Sequence, residues 1–296
     1  MSRKPLWSNE NERYTGEELE KYTEGHDVEV FKKVRVADVL EIEGSGISDQ
    51  LYGYALKAHF DFVVAEGSDG HPKFAVEFDE IHHRTDPDTI ENDRKKESIC
   101  HELGFPLFRI TREHLDEVGI GENPEFSTSF GSMFYKHYSS TIGWLTDMWF
   151  TREAFFEAQE RGDLPYDAVW SSSGVQGPDT GLYTYVGTAY KKGAVLQRVP
   201  TDYIAEHDLR DVEVVTAIFI SEDEVIYGRS RCKAVSYHQD PYPRDVARLT
   251  ATNAAVSKLR KYFSQGSPSY SREELRQMVS RLRTVDEDLT ILHKRE

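Results

Sequence analysis

The stretch that most limits what this chain can fold into is residues 59–111, because it combines two alternating segments, a tight turn, a helical pattern and an apolar segment. In the two segments that flank the turn, every second residue is apolar: Phe60, Phe62 and Val64, then Phe74, Val76 and Phe78. A period of two is typical of half-buried strands. The turn, Gly-Ser-Asp-Gly at residues 67–70, consists of residues that tight turns favour. We therefore predict a β-hairpin here.

The predicted hairpin brings two carboxylates opposite each other. A turn centred near Asp69 pairs residues whose numbers sum to about 138, so that Asp61 faces Glu77 with the Cβ atoms roughly 5 Å apart. Two carboxylates in this position repel each other unless a proton or a cation lies between them, and a hard divalent ion is the usual solution. Asp79 lies two residues further along, on the same face. The alternative is that these acids occupy a solvated outer face of the sheet.

The segment after the hairpin predicts a helix and a central strand. Residues 87–103 follow a typical helix start, Asp-Pro-Asp-Thr, and end at Gly104. Asp93 and Lys96 are one turn apart and share a helix face. Residues 105–110 are nearly all apolar, which favours a central parallel strand reached by a crossover helix. Lys96 would then reach back to the carboxylates, unless this face is simply solvated.

The composition narrows the class of protein. The chain has 296 residues, of which 38% are hydrophobic and 30% charged, as in soluble globular proteins with room for two domains. No apolar run is long enough to span a bilayer, and the first residues, MSRKPLWSNENERY, contain no apolar signal segment. We therefore expect a cytoplasmic protein with no membrane partner. Cys100 and Cys232 have neither disulfide nor zinc spacing, and we expect both to be buried.

The net charge of −16 argues against a broad electrostatic surface for nucleic acid. Basic residues are nevertheless concentrated at 94–96 and 258–261. A metal ion held by some of the acids would also reduce the local excess of negative charge. The charge of the whole chain therefore does not decide what one site binds.

The segments before the hairpin complete an α/β order. Residues 1–13 are polar and we expect them to be frayed, whereas residues 15–22 predict a helix with Thr15 as its N-cap. Residues 28–36 alternate as a strand, and residues 37–42 predict a short helix. The expected order in the first half is thus helix, three strands, helix and strand.

The second half predicts a different, α+β arrangement. Residues 129–161 are rich in aromatic residues at spacings that favour one or two helices. The elements predicted after them are two hairpins, at 182–199 and 212–230, and two helices, at 244–263 and 271–282. We divide the chain into a domain at 1–125, a helical connector at 126–165 and an α+β domain at 166–296.

Three segments of the first half carry a resemblance to a known family. They are FDFVV at 60–64, AVEFDEIHH at 75–83 and DRKKESICHELGFPLFRI at 93–110. Together they resemble the PD-(D/E)XK restriction-endonuclease-like superfamily, in the branch near the very-short-patch-repair endonucleases and related domains of unknown function. With VFKKVRVADVL at 30–40, the resemblance covers roughly residues 15–115. It implies a restriction-endonuclease-like core of helix, three strands, helix and strand.

The resemblance also implies roles for individual residues. Asp61 and Glu77 match the acids that bind Mg²⁺ in the superfamily, and Mn²⁺ is expected to substitute. Asp79 stands where many members carry a lysine, and is expected to act as a further ligand or to orient water. Lys96 would replace that lysine as an electrostatic stabiliser. His83 matches a histidine of this branch and would carry a proton.

The resemblance therefore implies a metal-dependent endonuclease that hydrolyses phosphodiester bonds, with DNA as the expected substrate. Two departures from the family pattern are Glu80, where this branch tends to have glycine, and Phe60, where the family name has proline. The first alternative is a catalytically silent module that binds nucleic acid or assembles with other proteins. The second is a ribonuclease that uses the same site. We expect residues 166–296 to bind a protein partner or a second copy of the chain.

Overall fold

The structure, a computed structural model, describes residues 10–79, 86–116, 140–168, 179–208, 211–235, 242–282 and 290–291. Within these ranges the chain is mixed α/β. It divides into two compact units, of which the first comprises Met1–Leu115 and Cys232–Pro243 and the second comprises Asp116–Arg231 and Arg244–Glu296. The first unit thus includes a segment from late in the sequence, and the domain boundaries given above stay a prediction.

The first unit has the predicted order of helix, three strands, helix and strand, with two short helices after the first strand, the first of which corresponds to the short helix predicted at 37–42. Its elements are α1 (Glu10–Thr23), β1 (Val28–Arg35), α2 (Val36–Val39), α3 (Asp49–Ala55), β2 (His59–Glu66), β3 (Pro72–Phe78), α4 (Pro87–Glu102), β4 (Leu107–Ile110) and a 3-10 turn (Arg112–Leu115).

The strands of the first unit form a sheet in the order β1-β2-β3-β4. β1, β2 and β3 are antiparallel neighbours, whereas β4 runs parallel to β3. On its other side β4 pairs with residues 233–235, the end of β7 (Glu224–Val235). All four residues of β4 are buried, which confirms the prediction of a central parallel strand. The pairing of Phe62 with Val76 confirms the predicted register of the hairpin.

Helix α4 covers one face of this sheet. Its buried residues Ile99 and Cys100 pack in one cluster with Val63, Ala75 and Leu107, which point to the same side of β2, β3 and β4. The helix ends where Gly104 adopts a left-handed conformation, with φ 67°, as its sequence predicts. The buried position of Cys100, and that of Cys232, agree with the prediction for both cysteines.

The start of α1 differs from the prediction. The helix begins at Glu10, so the expectation of a frayed segment is wrong for residues 10–13 and the assignment of Thr15 as N-cap is wrong. Instead the Thr15 hydroxyl donates to the carbonyl of Asn11 within the helix, at 2.9 Å. The buried side of the first turns is formed by Glu12 and Thr15, and polar residues give no hydrophobic periodicity from which a helix could be predicted.

The second unit contains helices around a second group of strands. Its elements are α5 (Thr141–Glu160), α6 (Asp179–Lys191), β5 (Thr201–Asp208), β6 (Asp211–Phe219), most of β7, α7 (Tyr242–Gln265), β8 (Tyr270–Ser271), α8 (Arg272–Leu282) and β9 (Thr290–Ile291). The hairpin at 212–230 and both C-terminal helices are confirmed. The capping box of α8 is confirmed as well, because the Glu274 N–H donates to Ser271 Oγ at 3.2 Å and the Ser271 N–H donates to Glu274 Oε2 at 2.7 Å.

The predicted hairpin at 182–199 is wrong. Residues 182–191 belong to α6, and residues 194–199 form no strand. The buried residues of α6, Leu182, Tyr185, Val186 and Ala189, follow the spacing of a helix face. The helix ends at Lys191, and Gly193 follows it in the left-handed conformation, with φ 70°.

Two further observations concern membrane-spanning helices and the aromatic segment. In the ranges that the structure describes, no helix is both long and apolar enough to cross a bilayer. The aromatic segment expected to be helical is helical from Thr141, and its residues 129–139 lie outside the described residues.

Candidate functional site

A row of charged residues crosses the middle of the first sheet. Glu77 is the register partner of Arg109, and Arg109 is the partner of Lys233. The hairpin register sets Asp61 opposite Glu77. On β1, Lys33 lies opposite Asp61, because the residues on either side of Lys33 pair with the residues on either side of Asp61. We call Lys33, Asp61, Glu77, Arg109 and Lys233 the charged row. It places two acids side by side, with basic residues at both ends.

The two acids of the row bind each other's strands. The pairing of β2 with β3 extends to Phe62 and Val76, and next to this pair the N–H of Asp61 donates to Glu77 Oε1 at 3.2 Å. The N–H of Phe78 donates to Asp61 Oδ2 at 2.9 Å. Side-chain oxygens thus continue the link between the two strands, and both carboxylates are held at the strand ends.

Lys96 from α4 reaches Glu77. Its Nζ donates to Glu77 Oε2 and to the carbonyl of His59, both at 2.7 Å. Glu77 and Lys96 are only 5% and 7% exposed. Because a buried charge without a partner is costly, each of these two side chains stabilises the other in its ionised form. An ammonium group has three N–H donors, and these two hydrogen bonds use two of them.

Lys33 is the cation next to Asp61. Its Nζ lies 2.6 Å from Asp61 Oδ1 and 2.8 Å from Glu12 Oε1, which comes from α1. The pKa of Lys33 is raised, because the attraction of Asp61 and Glu12 outweighs the desolvation that would lower it. Asp61 thus accepts hydrogen bonds at both oxygens, one from a lysine and one from the backbone.

Arg109 connects the row to α4. Its guanidinium nitrogens lie 2.5 Å from Asp79 Oδ1, 3.0 Å from Asp93 Oδ1 and 2.8 Å from Glu97 Oε1. The other oxygen of Glu97 accepts a hydrogen bond from Lys233 at 2.5 Å. The pKa of Arg109 is raised although burial alone would lower it, because four carboxylates, with Asp79 the strongest, surround it. Arg109 is therefore a fixed positive charge at the centre of this group.

The ion pairs of the site involve more carboxylates than cations. The ion pairs described above join six carboxylates to four cations. Burial raises the pKa of Glu77 from 4.5 to about 7, because desolvation, together with repulsion from Asp61, outweighs the attraction of Lys96. Burial, Glu77 and Asp93 likewise raise the pKa of Tyr54. A site with these properties attracts a proton or a further cation.

The structure brings most of the sequence-predicted site residues into this region. Glu77 contacts both Asp61 and Lys96 through the hydrogen bonds above. Asp79 forms its ion pair with Arg109. His83 lies outside the described residues. The roles of all five as catalytic or metal-binding residues stay a prediction.

Five residues of the site were missed by the sequence reasoning: Glu12, Lys33, Glu97, Arg109 and Lys233. Arg109 carried a usable signal, because it is the one charged residue in an apolar strand segment, and a buried charge needs partners. Glu97 lies one turn after Asp93, on the helix face that Asp93 shares with Lys96. Glu12 and Lys33 carried no local signal, since their contacts depend on how α1 and β1 pack.

The donor set of the site fits a hard divalent ion at two carboxylates. Mg²⁺ in proteins is commonly bound by one or two carboxylates and retains several waters. Asp61 and Glu77 are adjacent, and each oxygen that already accepts one hydrogen bond has a second lone pair. Among the described residues, no group of three or more His, Cys, Asp or Glu is arranged to hold a metal ion. Within the described residues, the fit is therefore to the pair of Asp61 and Glu77 alone.

In a comparison with known proteins, part of the chain matches a family model that has no assigned activity. Residues 4–120 match the model of a family described as "Protein of unknown function (DUF2726)". The matched range contains α1 to β4 and every member of the charged row except Lys233. Neither a search of curated proteins nor one of solved structures found a match. Function therefore has to be argued from the site.

Proposed function

We propose that the first unit is a metal-dependent nuclease that hydrolyses phosphodiester bonds in DNA, with Asp61 and Glu77 as the ligands of Mg²⁺ or Mn²⁺. The observation that carries the proposal is the pair of acids held side by side in the charged row, with Lys96 bound to one of them. Repulsion between two adjacent carboxylates is relieved by a cation.

A bound divalent ion would polarise the phosphate, lower the pKa of a water and offset charge on the leaving oxygen. The chain's own residues prepare the site for this. The N–H groups of Asp61 and Phe78 fix the orientation of the two carboxylates. The His59 carbonyl and Glu77 hold the Lys96 ammonium, whose remaining N–H would donate to a phosphate oxygen.

The other charged residues would act as positioning residues. Arg109 forms ion pairs with Asp79, which directly follows β3, and with Asp93 on α4, and so holds both carboxylates in place. In this proposal Asp79 orients water and does not bind the metal, because it already forms an ion pair with Arg109. His83 is the proposed proton carrier of the reaction.

A restriction-endonuclease-like core is part of the same proposal. It is supported by the order α1-β1-β2-β3-α4-β4 and by acids at the facing ends of β2 and β3. It is also supported by a lysine on the helix after β3. The fold by itself would not imply the activity, since function resides in the site.

The proposal is tested by cleavage of supercoiled plasmid, single-stranded DNA and RNA, each with Mg²⁺ or Mn²⁺. Wild type is expected to cut DNA, whereas Glu77→Ala is expected to lose activity and Lys96→Ala to lose about 10²-fold or more, the effect of one electrostatic donor. Lys95→Ala is the matched control for Lys96, because Lys95 is the next residue on the helix and pairs with Glu91. Glu29→Ala is the control for Glu77, because Glu29 is exposed on β1.

Three results would contradict the proposal in different ways. Activity that survives in Glu77→Ala would mean that another site, or a contaminant, cuts. A strict requirement for a 2′-hydroxyl would make the protein a ribonuclease. Wild type that cuts nothing with any metal would end the enzyme claim.

One observation favours the second candidate, a catalytically silent module that binds nucleic acid or assembles with partners. Both oxygens of Asp61 and both of Glu77 already accept hydrogen bonds from the chain's own groups. The hydrogen-bond acceptors of the carboxylate pair would then be satisfied without a metal ion. Under this candidate the protein binds nucleic acid equally well with Mg²⁺ or EDTA, and Glu77→Ala leaves that binding unchanged.

A further inference from the structure

Lys33 has an unusual backbone conformation. Among the described residues that are not glycine, it alone has a positive φ, at 53°. This left-handed region disfavours residues with a Cβ, and residues held there often lie at functional sites. The neighbours of Lys33 on β1 pair regularly with β2, so the strained residue interrupts an otherwise regular strand at the charged row.

The strained backbone directs the Lys33 ammonium between two acids. Its Nζ lies 2.6 Å from Asp61 Oδ1 and 2.8 Å from Glu12 Oε1. The side chains of these acids are 18% and 3% exposed, whereas that of Lys33 is 45% exposed. Lys33 therefore compensates two largely buried carboxylates from the solvent side. Without Lys33 the two acids would lose this compensating charge.

Lys33 and Lys96 differ in how firmly they are held. Lys96 is 7% exposed and is also bound by the His59 carbonyl. Lys33 reaches its acids from an exposed position and can move into water without leaving a buried ammonium behind. Of the two lysines at the acid pair, Lys33 is the one that can be displaced.

We propose that Lys33 is an internal counter-ion, which occupies Asp61 while the protein is free of metal and leaves it when a divalent ion binds. The inference rests on the proposed function, because it takes Asp61 as a metal ligand. The lysine and the metal ion compete for the same carboxylate, since an ammonium at Asp61 Oδ1 would repel a divalent ion bound there. Lys33 thus lowers the affinity for metal and keeps the metal-free site compensated.

The test is Mn²⁺ binding to the full-length protein, measured by isothermal titration calorimetry. Lys33→Met removes the charge and keeps the length of the side chain, and is expected to tighten Mn²⁺ binding by about tenfold or more. Lys33→Gly removes the side chain and tolerates the positive φ, so it reports the same effect if methionine disturbs β1. The matched control is Lys32→Met, because Lys32 pairs with Glu20 at 2.5 Å and its removal changes the net charge equally.

The outcomes separate this inference from the proposed function. Tighter binding in both Lys33 variants, with Lys32→Met like wild type, supports the inference. Equal or weaker binding in the Lys33 variants overturns it and leaves the metal site standing. Absence of Mn²⁺ binding in every protein overturns both. Asp61→Asn is expected to abolish the binding, and if it does not, the ion lies elsewhere and Lys33 does not compete with it.

Discussion

The buried pair of Glu77 and Lys96 gives the most direct physical prediction. Replacing Lys96 by methionine leaves a carboxylate that is 5% exposed without its cation. Breaking a buried ion pair by removing one partner costs about 3–5 kcal/mol in free energy of unfolding. Lys96→Met is expected to lose up to that amount at pH 8, which lies above the pKa of about 7 that Glu77 has beside Lys96. The double variant Glu77→Gln/Lys96→Met removes both charges and is expected to recover at least half of the loss.

The interaction is measured as a double-mutant cycle. Urea unfolding of the wild type, both single variants and the double variant gives four free energies, from which the coupling of the two side chains follows. We expect a coupling of about 2–3 kcal/mol, the upper range for residues in contact. The control cycle is Glu91→Gln with Lys95→Met, an i,i+4 pair on the same helix whose glutamate side chain is 53% exposed.

The control pair is expected to couple by about 0.3–0.5 kcal/mol, as exposed helix pairs do. If the Glu77–Lys96 cycle gives no more than this, the pair is not desolvated as described. The account of the site as a set of buried, mutually compensated charges would then be refuted.

Three further predictions concern titration, packing and capping. The folded state raises the pKa of Glu77 from 4.5 to about 7. The wild type is therefore expected to lose about 3 kcal/mol in free energy of unfolding, relative to Glu77→Gln, as the pH rises through this interval. Urea unfolding at pH 4.5, 6 and 8 measures this loss, and a difference that stays constant with pH contradicts it. A Cβ on Gly228 would lie 2.1 Å from the carbonyl oxygen of Ala251, so Gly228→Ala is expected to lose about 2 kcal/mol or more. Gly53→Ala in α3, where nothing lies within 4 Å, should instead gain about 0.5–1 kcal/mol, and equal melting temperatures for the two variants would refute the packing argument. Ser271→Ala is expected to cost about 1 kcal/mol and to speed amide exchange in the first turn of α8, whereas unchanged exchange there would mean that the capping box does not stabilise the helix.

The hairpin and its register could be predicted because two local signals agree. The turn residues at 67–70 determine where the chain reverses, and the alternation of apolar residues indicates which residues share a face. Together they paired Phe62 with Val76 and set Asp61 opposite Glu77. The capping box at Ser271 was also predictable, since all its contacts lie within one helical turn.

Other features could not be predicted because their causes are not local. In α6, aromatic and β-branched residues such as Tyr185 and Val186 favour strands by propensity, while their burial follows a helix face. The partner of Glu97 is Lys233, 136 residues away, and no sequence pattern connects them. The contacts of Lys33 with Glu12 and Asp61 likewise join separate elements. Contacts between side chains so far apart in the sequence depend on how the helices and strands pack.

The central claim is that Asp61 and Glu77 bind the metal with which the protein cuts DNA. Its most direct measurement is the rate of plasmid cleavage as a function of Mg²⁺ concentration for wild type, Asp61→Asn and Asp69→Asn. Asp69 is the matched control, because it lies in the exposed turn of the same hairpin. The account predicts Mg²⁺-dependent cleavage by wild type and Asp69→Asn, and a loss of about 10²-fold or more in Asp61→Asn. Equal rates for Asp61→Asn and wild type, or no cleavage at any Mg²⁺ concentration, would contradict it.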